Sequence, residues 1–477
     1  MPNKTSHLTS HLSPLTSHVS PLTPHLSRFT FYFSRLTSHL SRLTFHSGFR
    51  RYFANTSWLF VEQILRMLAG FFVGVWIARY LGPEKYGIFS YALAFVAIFQ
   101  GIAKLGLDGI VVRDLVREPE KAQIYLGTAF WLKLIGGIFT FLVVLIISWF
   151  TADNIQTFLF ICIIAAGIIF QSFEVIDFYY QANVQAKYIS IRKIIQLILS
   201  SVIKIYLVLV KADLFWFVLV TLFDAVSLAV FSYGIYKKQG LPDFLKFFNI
   251  DLAKRLLKDS FPLLLSGIAI AIYMRIDQVM IKHMLGDKEV GLYSAAVKIS
   301  ELWYFIPLYI SSSLFPAILN AKKISKNLYY KRLQGLYDLM LYISISVALP
   351  MTFMSDWVMT LFYGKLYSHA GKILSIHIWV GVFVSLGFIR GKWIVSENLQ
   401  IYSLVYVGIG STINIVLNYY FIIRYGMVGA AYATLIAQMF GNLIVPSFFK
   451  KTRVSVIMMM NSISIIPSIL RNVKCLR

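Results

Sequence analysis

Ionisable side chains recur inside the long apolar runs of this 477-residue chain, where each is costly unless it faces a cavity or a partner. Glu62 and Arg66 stand four residues apart in the first run, with Gln63 between them. Lys133 lies in the third run, Lys204 in the fifth and Asp224 in the sixth. Arg275 and Asp277 share the seventh, Lys298 and Glu301 stand three apart in the eighth, and Asp338 opens the ninth. The spaced pairs Glu62/Arg66 and Lys298/Glu301 either neutralise one another along a helix or face a working cavity. Lys133 and Lys204 have no helical partner within four residues and are the better candidates for a cationic, anion-binding cavity, with snorkelling to the surface as the alternative for Lys133. Asn414/Asn418 and Gln438/Asn442, each four apart, offer amides to a sugar or, more commonly, to neighbouring helices. Glu174 and Asp177 read as a helix-end network rather than a metal site, because nothing nearby supplies further ligands.

The elements that must position these groups are membrane helices. Hydrophobic residues make up 58% of the chain and charged residues 14%, against about half and about a quarter in soluble proteins. A helix needs about 20 apolar residues to cross the hydrocarbon core, and twelve segments meet that need: 57–80, 87–107, 126–150, 155–176, 194–211, 214–236, 260–283, 289–318, 337–362, 372–394, 400–423 and 427–449. The net charge of +24 collects in alternate loops, so it reports topology rather than nucleic-acid binding. One set of loops, with Lys450, Lys451 and Arg453 after the last run, holds 20 Lys and Arg, and the other set holds 5. The positive-inside rule then places both termini in the cytoplasm. Trp58, Trp76, Tyr80, Trp131, Tyr179, Tyr180 and Trp216 near the run ends fit an interfacial belt. Pro262, Pro307, Pro316 and Pro350, with Gly267, mark places where helices can bend.

The chain also repeats itself. Leu81 to Ala92 (LGPEKYGIFSYA) aligns without a gap on Leu285 to Ala296 (LGDKEVGLYSAA), 204 residues later, with Leu, Gly, Gly, Ser and Ala identical. An even number of runs in each half brings both copies in from the same side, which predicts an all-α, polytopic membrane protein of about twelve helices in two parallel six-helix lobes around a central cavity. The expected division is a leader at 1–48, a first lobe at 49–236, a linker at 237–259, a second lobe at 260–449 and a basic cytoplasmic tail at 450–477. Phe244, Phe247, Phe248, Leu252, Leu256 and Leu257 in the linker lie near helical spacing beside lysines, so part of it is expected to lie flat on the inner leaflet, a solvated linker being the alternative.

Residues 10–44 are five heptads of one pattern, beginning SHLSPLT and ending SHLSRLT. Pro14, Pro21 and Pro24 break the coiled-coil spacing, and the Ser, Thr and Pro content reads as a disordered tract outside the fold. It is not a secretory signal, lacking an unbroken apolar core and a small-residue cleavage site. Cys162 and Cys475 match no metal spacing. No P-loop pattern is present, and no cofactor, metal or catalytic residue is expected.

Six stretches follow one another with a specific order and spacing: ARYLGPEKYGIFSYA (78–92), LGLDGIVVRDL (105–115), DFYYQANVQAKYISIRK (177–193), RIDQVMIKHMLGDKEVGLYSAAVKISELWYFIP (275–307), LFP (314–316) and YGMVGAAYAT (425–434). Together, from residue 50 to residue 450, they resemble the polysaccharide biosynthesis, or O-antigen-type oligosaccharide, flippases of the multidrug/oligosaccharidyl-lipid/polysaccharide exporter superfamily. The resemblance implies a multi-pass protein of the bacterial plasma (inner) membrane that moves an undecaprenyl-diphosphate-linked oligosaccharide from the inner to the outer leaflet, coupled to a proton or sodium gradient. The implied partners are that polyprenyl-linked glycan, membrane lipids and the glycan polymerase machinery, with no nucleic acid. It also implies a cationic central cavity, to which Arg66, Lys204, Arg275 and Lys298 carry over by position, beside Lys133. Fixed cations replace part of the hydration that a diphosphate loses on entering a membrane. Glu62, Asp224, Asp277 and Glu301 are candidates for the driving ion, since neutralising a buried acid can be coupled to conformation. The rival readings are a drug or organic-cation antiporter of the same superfamily, against which the unpaired Lys133 and Lys204 argue, and a membrane glycan polymerase or ligase, which needs a large outer loop that is not evident.

Overall fold

The computed structural model describes residues 47–463; the expectations for the heptad leader and for the last residues of the tail lie outside the described residues. The chain divides into two units, Met1–Ser57 and Trp58–Arg477, the second of which holds the helical bundle. Every described element is helical. In the first lobe these are α1 (Ser47–Lys104), α2 (Asp108–Arg117), α3 (Ala122–Thr151), α4 (Ile155–Phe170), α5 (Val175–Ala182), α6 (Ala186–Leu209) and α7 (Leu214–Lys238). The second lobe has α8 (Ile250–Leu285), α9 (Asp287–Leu302), α10 (Phe305–Ile324), α11 (Lys326–Tyr363), α12 (Gly371–His377), α13 (Val380–Ser396), α14 (Gln400–Tyr425), α15 (Met427–Met439), α16 (Val445–Ser447) and α17 (Arg453–Ile463). Side-chain caps fix several starts: Asn154 accepts from Thr157 N at 2.8 Å, Asn249 from Leu252 N at 2.8 Å and Ser325 from Leu328 N at 3.1 Å, each satisfying an orphan donor.

Nine of the described helical stretches are long and apolar enough to cross a membrane, or ten if Lys365–His377 and Val380–Ser396, bent by 43°, form one span. Twelve were expected, and two features account for the difference. The first two expected runs fall within the single stretch Asn55–Arg117, broken inside α1 by the non-helical Gly82. The expected span 194–211 falls on α6 up to its end at Leu209, and Arg192, Lys193 and Lys204 make that helix too polar to join the apolar set.

The repeat has a structural purpose. Gly82 (φ 72, ψ 170) ends one helical segment and Gly286 (φ 110, ψ −175) ends α8 at the equivalent position. Both conformations strain a residue with a Cβ. Four residues beyond Pro83 and Asp287, the second glycines of the motif meet. A Cβ on Gly87 would overlap the Asp287 carbonyl oxygen, and one on Gly291 would overlap the Pro83 carbonyl oxygen. The two contacts exchange when 204 is added to or subtracted from the residue numbers, which is the signature of a two-fold contact. The lobes therefore meet through the duplicated motif itself, as parallel repeats allow.

Apolar packing follows the same plan. One cluster, around Val111, Leu126 and Phe244, belongs to the first lobe and linker. Another, around Trp303, Leu336 and Ile389, belongs to the second lobe. A third joins the lobes near the glycine turns through Ala78, Tyr91, Ala295 and Tyr367, where the Tyr367 hydroxyl donates to Ala78 O at 2.8 Å. In the linker, residues 241–249 are not helical, whereas Ile250 onward already belongs to α8. Phe244 is buried against Phe130 and Tyr236, Trp131 Nε1 donates to Leu245 O at 2.9 Å, and Asn249 N donates to Thr128 Oγ1 at 3.1 Å. Gly127 makes this possible, because a Cβ there would overlap the Phe244 and Phe247 carbonyls. Only Phe247, Phe248 and Leu257 of the six apolar linker residues are left exposed.

Candidate functional site

Two large cavities open among the described helices. The first, about 590 Å³, is lined by Tyr86, Ser90, Gln100, Arg275, Gln278 and Lys298 among others. Its walls include the repeat-equivalent pairs Ser90/Ser294, Leu93/Val297, Ala94/Lys298 and Ala97/Glu301, so it lies on the internal two-fold. Its chemistry is one-sided, since alanines in the first lobe face a lysine and a glutamate in the second. The other cavity, about 560 Å³, sits within the first lobe and shares Gln171, Thr221 and Ala225 with the first. Arg66, Arg192, Lys193 and Lys204 line it, with Glu174, Asp177 and Asp224. Across both, six cations stand against four carboxylates, an excess of two positive charges.

The expected residues separate into groups. Arg66 Nε donates to Glu62 Oε1 at 2.6 Å, while its Nη2 is buried without a protein partner. Lys204 Nζ donates to Ser200 Oγ at 2.7 Å and to Asp224 Oδ2 at 2.8 Å, and Gln196 Nε2 holds the other Asp224 oxygen at 2.9 Å. Lys204 is thus not unpaired, because a carboxylate on α7 supplies what its own helix lacks. Lys133 is not unpaired either: its Nζ lies 3.0 Å from Glu174 and 3.7 Å from Asp108, over the Phe178 ring. It is buried, and it lines neither cavity. Glu174 and Asp177 do form the helix-end network expected of them.

In the second lobe Glu301 pairs with Arg275 on α8 at 3.7 Å rather than with Lys298 on its own helix. Lys298 reaches toward α1, where the missing side chain of Gly74 leaves room for its ammonium. Asp277 is buried away from both large cavities. The Tyr293 hydroxyl donates to its Oδ2 at 2.6 Å, Asn418 Nδ2 to its Oδ1 at 2.6 Å, and Thr434 Oγ1 also bonds it. Among the described residues Asp277 has no ion-pair partner. The Asn414/Asn418 amides therefore serve this carboxylate, and Gln438 and Asn442 bond each other at 2.8 Å.

Arg192 and Lys193 belong to the cavity although their position suggested a loop. They count among loop cations when the fifth span starts at 194, but α6 begins eight residues earlier, at Ala186. The Arg192 side chain is 1% exposed and paired with Asp177, which also holds Lys193 at 3.3 Å. Its Nε and Nη1 have no protein partner. The cue was present in DFYYQANVQAKYISIRK, where Asn183 and Val184 turn the chain so that Asp177 and Arg192 face each other. At the glycine-turn end, Lys282 joins the lobes, its Nζ lying 2.6 Å from Asp287 and 2.8 Å from Asp153 in the first lobe.

Comparison with known proteins places this arrangement. Residues 52–322 match the family model described as "Polysaccharide biosynthesis protein", and residues 262–420 match the MatE model. The capsular polysaccharide biosynthesis protein CapF of Staphylococcus aureus is 22% identical over 414 residues, covering 83% of this chain and 99% of CapF. Among solved structures, the lipid II flippase MurJ in an inward closed conformation aligns with a TM-score of 0.62 at 18% identity, over 86% of this chain and 91% of MurJ. An inward-facing multidrug resistance MATE transporter aligns with a TM-score of 0.62 at 15% identity, over 82% of this chain and 94% of its own. The two-lobed fold is shared with both, and the family match covers more than half of the sequence: this multi-pass membrane chain belongs to the polysaccharide biosynthesis family.

Proposed function

We propose that the chain carries a polyprenyl-diphosphate-linked oligosaccharide from the inner to the outer leaflet of a bacterial plasma membrane by alternating access, for use by the glycan polymerase machinery. The observation that carries this reading is the positive excess of the joined cavities, with unpartnered guanidinium atoms of Arg66 and Arg192 on their walls. A diphosphate sheds water on entering a membrane, and charge-assisted donors in a low-dielectric site replace it. An organic cation meets the wrong sign of field there. The loop charges orient the basic ends toward the cytoplasm, so the glycine-turn end, where the lobes touch and Lys282 bridges them, is the closed outer gate.

The driving ion acts at Asp277. Three of the four candidate carboxylates are already paired: Glu62 with Arg66, Asp224 with Lys204 and Glu301 with Arg275. Asp277 is held by neutral donors, and a buried carboxylate without a cationic neighbour is costly unless a proton or a metal cation neutralises it. Asn414, Asn418 and Thr434 add oxygen ligands of the kind a hard cation takes.

Complementation of a flippase-deficient strain, read as surface polysaccharide, tests the cavity. Arg192→Gln and Lys204→Ala should each lower export about tenfold or more, as expected for losing a charge-assisted contact of about 1.5–3 kcal/mol. Lys133→Met should instead lower the amount of folded protein, because its pairs are structural. Wild-type export from both cavity variants, at equal membrane levels, would remove the cavity from the mechanism.

A further inference from the structure

A third cavity, about 210 Å³, lies within the second lobe. It occupies the place that the duplication gives to the cationic first-lobe cavity. Arg66 and Gly70 line that one, and their repeat equivalents 204 residues later, Ile270 and Met274, line this one. Val384, Phe388, Ile394 and Val407 make the rest of its wall largely apolar, and the smallness of Gly387, Gly391, Gly410 and Gly441 keeps it open. The same architecture has become polar in one lobe and apolar in the other.

Beside the neutral polar groups of Ser403, Gln438 and Asn442, the lining holds one charged side chain. Arg390 is buried, and its guanidinium donates to Asn442 O at 2.6 Å and to Asn442 Oδ1 at 2.8 Å, with the Tyr406 ring 5.3 Å away. Asn442 sits in a π-helical turn, Phe440–Ile444, and Pro446, four residues on, has no N–H to offer its carbonyl. Arg390 therefore supplies a donor, but a neutral amide would do that as well. Its charge has no ion-pair partner among the described residues, and an uncompensated cation in an apolar site is costly. The volume falls below the roughly 300–1,000 Å³ of sites for whole drug-sized ligands, which suits a segment of chain beside a small head group and excludes an oligosaccharide.

We propose that this pocket binds an anionic amphiphile, an apolar chain ending in a phosphate or carboxylate, with Arg390 as its counter-charge and the glycine-lined wall holding the chain. The site is separate from the cationic cavities and does not depend on what they carry.

Thermal unfolding of the purified protein in uncharged detergent is the test, with decyl phosphate below its micellar concentration as probe and inorganic phosphate and decanol as controls. Decyl phosphate should raise the midpoint of the wild type by about 2–4 °C through preferential binding to the folded state, and neither control should. Arg390→Gln keeps a donor for Asn442 and removes the charge. Gly391→Leu fills the pocket from a position where a Cβ meets nothing within 4 Å, so it folds even if Arg390→Gln does not. Both should lose the shift, while Lys204→Ala in the first-lobe cavity should keep it. Native mass spectrometry with phosphatidylglycerol in one arm and a polyprenyl monophosphate in the other then identifies the source, the occupant being the one whose adduct disappears in Gly391→Leu. No shift in the wild type, an equal shift with inorganic phosphate, or a shift retained in either folded variant overturns the proposal.

Discussion

Asp277→Asn should uncouple export from the ion gradient. The substitution preserves shape and keeps a hydrogen-bonding side chain among Tyr293, Asn418 and Thr434, so the folded protein should persist in the membrane. It removes the one carboxylate of the four candidates that is free of an ion-pair partner among the described residues, and with it the group whose neutralisation can bias the lobes between two arrangements. Coupling energies of about 1–3 kcal/mol correspond to roughly 5–150-fold, and gradient-driven export should fall by that factor. Binding of the lipid-linked glycan in detergent should be unchanged, because Asp277 lines neither large cavity. Measuring export in vesicles with an imposed proton gradient, a sodium gradient or both identifies the ion by which one the wild type follows. Full gradient dependence in Asp277→Asn would move the coupling site elsewhere.

Gly87→Ala should hold the outer gate apart. A Cβ there overlaps the main-chain carbonyl of Asp287, and the equivalent change at Gly291 overlaps that of Pro83. A backbone carbonyl cannot rotate aside as a flexible side chain can, so relief must come from separating the lobes. A cost of about 3 kcal/mol shifts the populations about a hundredfold. Surface polysaccharide should drop accordingly. A cysteine placed at Ser294, in the first cavity, should become reactive to a membrane-impermeant maleimide from the outside. Gly109→Ala is the control, since a Cβ there meets nothing within 4 Å. Unchanged labelling in Gly87→Ala would mean that the duplicated motif does not form the gate.

The sequence disclosed the helical class, the duplication and four of the cations that line the two large cavities, for identifiable reasons. Apolar runs and glycine positions are local signals, and the Gly82/Gly286 and Gly87/Gly291 equivalences follow from one ungapped alignment. Pairing is not local. Lys204 and Asp224 sit on different helices, Lys133 finds Glu174 across a turn, and Glu301 prefers Arg275 on α8 to Lys298 on its own helix, so spacing along one helix could not assign them. Arg192 was hidden because its helix starts before the apolar run does, and the packing of Phe244 and Phe247 had no local signal because the Gly127 that admits them sits in another element. The pocket around Arg390 had no linear signature, since its walls come from four helices and a π-helical turn.

The central claim is that the two joined cavities, with their excess of positive charge, move an anionic lipid-linked glycan. Purified protein in vesicles carrying a fluorescent polyprenyl-diphosphate-linked oligosaccharide, assayed by how fast a membrane-impermeant reagent reaches the sugar on the far leaflet, tests it most directly. The expected result is gradient-stimulated transfer that is lost in Arg192→Gln and absent for an organic cation such as a tetraphenylphosphonium salt. Accumulation of the cation, with the glycan confined to its original leaflet, would contradict it and make the chain an organic-cation antiporter instead.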